Sequence, residues 1–181
     1  MNKQKTLIVY HTNYGSTRQY AEWIHAEVGG TLTAVKEAAG LDLSAYELFI
    51  FGGSFIEERI TIRHFIIEHW QEIRDKQIVL FSTSGRATLH PKLWQGYEES
   101  FPPELRERIA YFPLRGRIAA SRLELTNRIL MQIDSWLASD PELGVVEGLI
   151  TDYNGVQERN LDPLLTYVHQ LQGRQSSKPQ S

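Results

Sequence analysis

Apolar residues fall into two alternating rhythms along this chain. Thr6-Leu7-Ile8-Val9-Tyr10 is a run of apolar and β-branched residues, which predicts a buried strand. From Arg18 the period changes. Tyr20, Ala21, Ile24 and Val28 share one face of a helix that Gly29-Gly30 stops. Thr31 to Val35 is shorter and less apolar, as suits an edge strand, and Lys36 to Ala45 is a polar connection. Leu48-Phe49-Ile50-Phe51 is fully apolar, the mark of a central strand. It breaks into Gly52-Gly53-Ser54, and Phe55 to Arg59 continue the loop. Ile62, Phe65, Ile66, His69 and Ile73 return to helical spacing. Gln77-Ile78-Val79-Leu80-Phe81 is a further buried strand, opening into the small residues Ser82-Thr83-Ser84-Gly85 and then Arg86.

Lys92 to Arg108 is irregular and helical in character, interrupted by Pro102-Pro103. Arg108 to Phe112 predicts a strand ending at Pro113 and Gly116. Ser121-Arg122-Leu123-Glu124 has capping-box form, and its helix carries Leu123, Thr126, Leu130, Ile133 and Leu137 at core spacing before Asp140-Pro141 ends it. Gly144 to Gly155 stays open between a short extra strand, at Val145-Val146 or Leu149-Ile150, and a packed loop. Asn160-Leu161-Asp162-Pro163 starts a last helix with Leu164, Leu165, Val168 and Leu171 apolar. No internal repeat or linker interrupts the pattern. It predicts a single domain over 1–172 and a flexible polar tail over 173–181.

Composition narrows the classes. A chain of 181 residues with 41% hydrophobic and 23% charged residues suits one globular domain. A net charge of -3 does not draw it to nucleic acid. With no cysteine, thiolate catalysis, thiolate metal sites and disulfides are excluded. His64 and His69 lack partners at metal-site spacing, so no metal is expected. No run approaches the roughly 20 apolar residues of a membrane span, and the start Met-Asn-Lys-Gln-Lys leads straight into a strand. A cytoplasmic location is the simplest expectation.

Alternating strands and helices imply a five-stranded parallel sheet between helical layers, in the order 2-1-3-4-5. Ligands of such sheets sit at the carboxyl ends of the strands, where the order reverses. Three segments rich in small or hydroxyl residues gather there: Thr12 to Thr17, Gly53 to Arg59, and Ser82 to His90. In the first, Thr12-Asn13-Tyr14-Gly15-Ser16-Thr17 joins a strand to a helix start, the geometry of a phosphate site. Thr12, Ser16 and Thr17 offer hydroxyl donors, and Gly15 allows close backbone approach. A plain N-cap is the competing reading. The loop is neither a P-loop nor a spaced-glycine dinucleotide fingerprint.

Tyr10 to Thr17 resembles the FMN-phosphate loop of the flavodoxins, and Gly52-Gly53-Ser54-Phe55-Ile56 is similar to their second flavin loop. Tyr111-Phe112-Pro113-Leu114-Arg115-Gly116 resembles the branch that includes the menaquinone-dependent protoporphyrinogen dehydrogenases. Tyr14 departs from the usual small threonine. The resemblance implies a flavodoxin-like α/β three-layer sandwich with FMN held non-covalently. Its phosphate would lie on Thr12, Asn13, Tyr14, Gly15, Ser16 and Thr17. The ring would lie between Ser54, Phe55 and Ile56 on one side and Ser82, Thr83, Ser84, Gly85 and Arg86 on the other. Phe55 is the foremost stacking candidate, with an apolar loop anchor as its alternative; Tyr14 and Trp94 follow, Trp94 fitting the core better. Arg86, Arg115 and Arg117 are the charges expected near the ring, and His11 and His90 lie near the strand ends.

The resemblance favours an oxidoreductase that passes electrons to or from a quinone, porphyrinogen or similar acceptor, with contact to a quinone pool open and no side-chain acid or base required. An electron carrier that docks on a protein partner is the alternative, and a fold with a decayed flavin site is the third.

Overall fold

The computed structural model describes residues 5–118, 145–146, 149–150 and 153–176. Its spine is a parallel sheet of β1 (Thr6–Tyr10), β2 (Thr31–Ala34), β3 (Leu48–Ile56), β5 (Gln77–Ser84) and β6 (Ile109–Arg115), ordered β2-β1-β3-β5-β6. The predicted order is therefore present, with β2 at an edge. The register runs Ile8↔Ile50, Ile50↔Val79 and Val79↔Ala110.

Side chains alternate across this sheet and make two cores. Leu7, Val9, Phe49, Phe51, Ile78 and Leu80 face one way, with Ile62, Phe65, Ile66, Tyr97 and Phe101. Ile8, Leu48, Ile50, Val79 and Phe81 face the other, with Tyr20, Ala21, Ile24, Leu164 and Val168. Helix α1 (Ser16–Val28) and the last helix, α7 (Asp162–Ser176), cover the second face. On the first lie α2 (Val35–Ala38), α3 (Arg63–Glu68), α4 (Trp70–Ile73), α5 (Pro91–Ser100) and α6 (Pro103–Arg106). Each fully buried Leu, Ile or Phe contributes roughly 1.5–3 kcal/mol, so the two apolar stripes fix the layering.

Several boundaries differ from the sequence reading. Gly52 and Gly53 do not break β3. A Cβ at Gly52 would enter the Phe81 ring, and one at Gly53 would lie 2.8 Å from Ile60. These glycines make room for neighbours inside a continuing strand. β3 runs on to Ile56 and folds back antiparallel onto β4 (Arg59–Ile60), pairing Phe55 with Ile60. The turn residues Glu57 and Glu58 have φ of 50° and 58°, the left-handed values a two-residue hairpin turn needs. β5 likewise continues through Ser84, because Ser54↔Thr83 pairing occupies its backbone. The predicted second helix divides into α3 and α4 at His69, whose ring packs 4.5 Å from Phe65. β6 passes through Pro113, tolerated at the sheet edge.

Two short antiparallel pairs resolve the open C-terminal segment: β8 (Val145–Val146) with β9 (Leu149–Ile150), and β7 (Arg117–Ile118) with β10 (Tyr153–Asn154). The helix predicted from Ser121 lies outside the described residues, as does 177–181 of the polar tail. α7 itself continues past Gly173 to Ser176. Among the described residues no helix is long and apolar enough to cross a membrane.

The hairpin is clamped to α5. The Arg59 guanidinium donates to the Glu99 carbonyl, Ile60 N donates to Ser100 Oγ at 3.1 Å, and Lys92 Nζ lies 3.2 Å from Glu58 Oε1. Gly96 permits this approach. A Cβ there would sit 2.5 Å from the Glu58 carbonyl oxygen and inside the Phe55 ring. Gly96→Ala gains about 1 kcal/mol of helix propensity, but the clash costs roughly 1–3 kcal/mol. Urea unfolding of Gly96→Ala is expected at a lower midpoint than the parent; an equal or higher midpoint contradicts the clamp.

Candidate functional site

The site grows from the end of β1. His11 N donates to Gly52 O at 2.9 Å, carrying the chain one residue past the strand before it turns. Gly15 N then donates to Thr12 Oγ1 at 3.0 Å. Gly15 is the N-cap of α1 at φ 85°, ψ -13°; no side chain caps the helix and its first turn holds no acid. The first N–H groups of α1 therefore meet the carboxyl end of the sheet without a side-chain acceptor. Their dipoles make that end partly positive. A Cβ on Gly15 would meet nothing within 4 Å, so the approach is open. This donor set fits a phosphate.

The hydroxyls of this loop also make contacts within the protein. Thr17, fully buried, places Oγ1 2.8 Å from Thr83 Oγ1 and 3.2 Å from Ser54 Oγ. Ser16 Oγ accepts from Arg117 N at 3.0 Å. Thr12 and Ser16 each accept one main-chain N–H and keep a hydroxyl hydrogen to donate, while Thr17 is paired inside the protein. Asn13 is exposed, and Tyr14 is partly exposed.

The second segment is a hairpin arm rather than a loop. Ser54 N donates to Thr61 Oγ1 at 3.0 Å, and Ser54 O accepts from Thr61 N at 3.0 Å. Phe55 lies against Gly96 of α5, which makes it an apolar anchor, and Ile56 pairs with Arg59. In the third segment Ser82 points to the opposite sheet face, with Oγ 2.7 Å from Tyr111 Oη. Ser84 O accepts from Gly116 N at 2.5 Å, and Ser84 Oγ from Arg86 N at 3.0 Å. Gly85 and Arg86 are half-exposed. The carboxyl ends of β1, β3 and β5 therefore bring Thr12–Thr17, Ser54 and Thr83 together, while Phe55 and Ser82 turn to the α5 side.

Other expected contacts are tied back to the protein. Arg115 Nη1 donates to Tyr153 Oη at 3.1 Å, and Arg117 Nη2 to Gln19 Oε1 at 3.2 Å. His11 Nδ1 lies 3.0 Å from Thr61 Oγ1, and His90 caps α5 by accepting from Lys92 N at 3.2 Å. Trp94 is 42% exposed rather than core, set edge-on to Tyr111 at 5.3 Å. Among the described residues no group of three His, Asp or Glu is placed to hold a metal.

Two tyrosine clusters were not singled out from the sequence. Tyr20 Oη donates to Arg115 O at 2.8 Å and accepts from Asn160 Nδ2 at 2.7 Å, joining α1 to the β6 end and the α7 entrance. Burial raises its pKa. Tyr97 and Tyr111 stack at 4.3 Å, and burial pushes both phenols up to about 12. The only sequence signal for either cluster is that a buried tyrosine hydroxyl needs a partner.

The sequence model of the flavodoxin domain matches residues 7–142. The chain belongs to the flavodoxin domain family. Solved structures to which the chain is similar include a flavoprotein in complex with FMN from Lactobacillus acidophilus, 16% identical, covering 62% of this chain and 92% of its own, with a TM-score of 0.45. A flavodoxin, WrbA-like protein from Agrobacterium tumefaciens is 16% identical, covering 68% and 87%, with a TM-score of 0.45. Oxidised flavodoxin 2 from Bacillus cereus is 18% identical, covering 61% and 84%, with a TM-score of 0.40. No curated protein matches the chain.

The raised phenols give this flavodoxin domain an alkaline weakness. Above pH 10 the unfolded tyrosines lose protons that the folded ones keep until about 12, so stability falls across that window. In Tyr111→Phe the fall between pH 10 and 12, followed by urea midpoints, is expected to shrink by on the order of 2 kcal/mol. An unchanged slope contradicts the buried phenol.

Proposed function

We propose that this flavodoxin-domain protein is an FMN-dependent oxidoreductase whose acceptor is a quinone, porphyrinogen or similar molecule. The observation that carries the reading is the uncapped start of α1, opened by Gly15 at φ 85° beyond the carboxyl end of β1. FMN is the cofactor, with its phosphate on the main chain of Thr12, Asn13, Tyr14, Gly15, Ser16 and Thr17. Aligned N–H groups do there what a cation does in water. Ser54 and Ile56 on one side and Thr83, Ser84, Gly85 and Arg86 on the other would hold the ring, with the side chains of Phe55 and Ser82 turned to α5. FMN, once bound, supplies the electron transfer. The chain binds it, orients it and limits water.

The acceptor class rests on the resemblance of Tyr111 to Gly116 to the protoporphyrinogen dehydrogenase branch. Charge weighs against a carrier with an acidic docking face. Glu58, Glu98 and Glu99 each have a cationic partner, Lys92 at 3.2 Å, Arg106 at 3.7 Å and Arg59 at 3.4 Å.

Titration of FMN-free protein with FMN and with riboflavin tests the phosphate site. Two or more charge-assisted hydrogen bonds at roughly 1.5–3 kcal/mol each predict FMN binding at least about 100-fold tighter. Gly15→Val, a β-branched residue forced to positive φ, is expected to erase that preference. No FMN binding, or equal affinity for the two flavins, contradicts the function.

A further inference from the structure

Thr61, which the sequence reading passed over, stands where two of the three ligand segments touch. It follows β4 and carries two bonds on one oxygen: Oγ1 accepts from Ser54 N at 3.0 Å and lies 3.0 Å from His11 Nδ1. The main-chain bond from Thr61 N to Ser54 O, at 3.0 Å, closes the hairpin at the same rung. A hydroxyl has one donor and two acceptor positions. With Ser54 N–H on the oxygen, the hydroxyl can either donate to His11 Nδ1 or accept from it, according to the imidazole tautomer. From Ser54 Oγ the contacts continue to Thr17 at 3.2 Å, and from Thr17 to Thr83 at 2.8 Å. His11, Thr61, Ser54, Thr17 and Thr83 thus form one unbroken polar chain. It starts beside the phosphate loop, crosses the hairpin and ends on β5.

We propose that Thr61 is a positioning residue for the flavin ring, setting how far the β3–β4 hairpin stands from the β1–α1 loop. The inference rests on the FMN reading above. Thr61 acts through Ser54 and His11 and touches neither phosphate nor ring. α5 holds the tip of the hairpin where Gly96 meets Phe55 and Glu58, and Ser100 holds Ile60 on the α5 side, which leaves Thr61 to set the spacing on the side facing the β1–α1 loop. Thr17 is held in the same chain from the side of α1, so the phosphate end keeps its own support through Thr83. Loosening Thr61 therefore disturbs the ring and spares the phosphate.

The test uses the full chain with FMN, and with riboflavin as the ring lacking a phosphate. It compares the parent with Thr61→Val and Thr61→Ser by affinity, by visible circular dichroism of the bound flavin and by urea midpoint. Thr61→Val is expected to weaken both flavins about 10-fold alike, leaving the FMN-to-riboflavin ratio unchanged and altering the dichroism. Thr61→Ser, which keeps the hydroxyl, restores the parent values. Parent-like binding by Thr61→Val, or a loss confined to FMN, overturns the proposal. If Thr61→Val does not fold, His11→Ala removes the other end of the bond, and the same equal loss is expected; unchanged affinities overturn the proposal. A parent chain that binds no FMN refutes the function first, and this inference with it, before any variant is compared.

Discussion

The meeting of three hydroxyls, Thr17 with Ser54 and Thr83, holds the site together. Each is buried, and a buried hydroxyl left unpaired costs roughly 1–3 kcal/mol. Pairing them removes that cost in one arrangement only. β3 and β5 must run in register to Ser54↔Thr83, and the first turn of α1 must lie over their ends. The contact therefore fixes where the start of α1 sits at the carboxyl end of the sheet.

From that constraint follows a division of labour. The Thr17 hydroxyl points inward and positions the loop, and the N–H groups at the uncapped start of α1 are the donors proposed for the phosphate. A chain with no cysteine and few charges at the site can still hold an anion this way, since helix-end dipoles need no counter-charge to be buried. On the opposite face of the sheet the Ser82–Tyr111–Tyr97 contacts stiffen β5 against α5, and the hairpin leans on the same helix. Both the β3–β4 hairpin and the end of β5 thus rest on elements with their own packing.

The architecture was legible because each strand carries its own apolar run and each major helix its own stripe. Leu7 to Val9, Leu48 to Phe51 and Ile78 to Phe81 could be read without knowing their neighbours. The Thr12–Thr17 turn was legible as a strand running through glycine into a helix for the same local reason. What failed was non-local. Gly52 and Gly53 look like breakers until Phe81, Ile60 and Ile62 fill the space above them. Ser82 and Thr83 look like loop residues until β3 and β6 pair with them. Phe55 looked free to stack because nothing in its own segment names Gly96 as its seat. The hydroxyls of the first loop stand out in the sequence as a group, yet the partners of Thr17 and Ser16 are Ser54, Thr83 and Arg117, far along the chain.

A crystal structure of the chain with FMN tests the central claim most directly. The account predicts phosphate oxygens within about 3 Å of main-chain N–H groups in the first turn of α1, with the Thr17 hydroxyl still turned toward Ser54 and Thr83. A phosphate bound elsewhere, or a Thr17 side chain swung out with the start of α1 blocked, contradicts it.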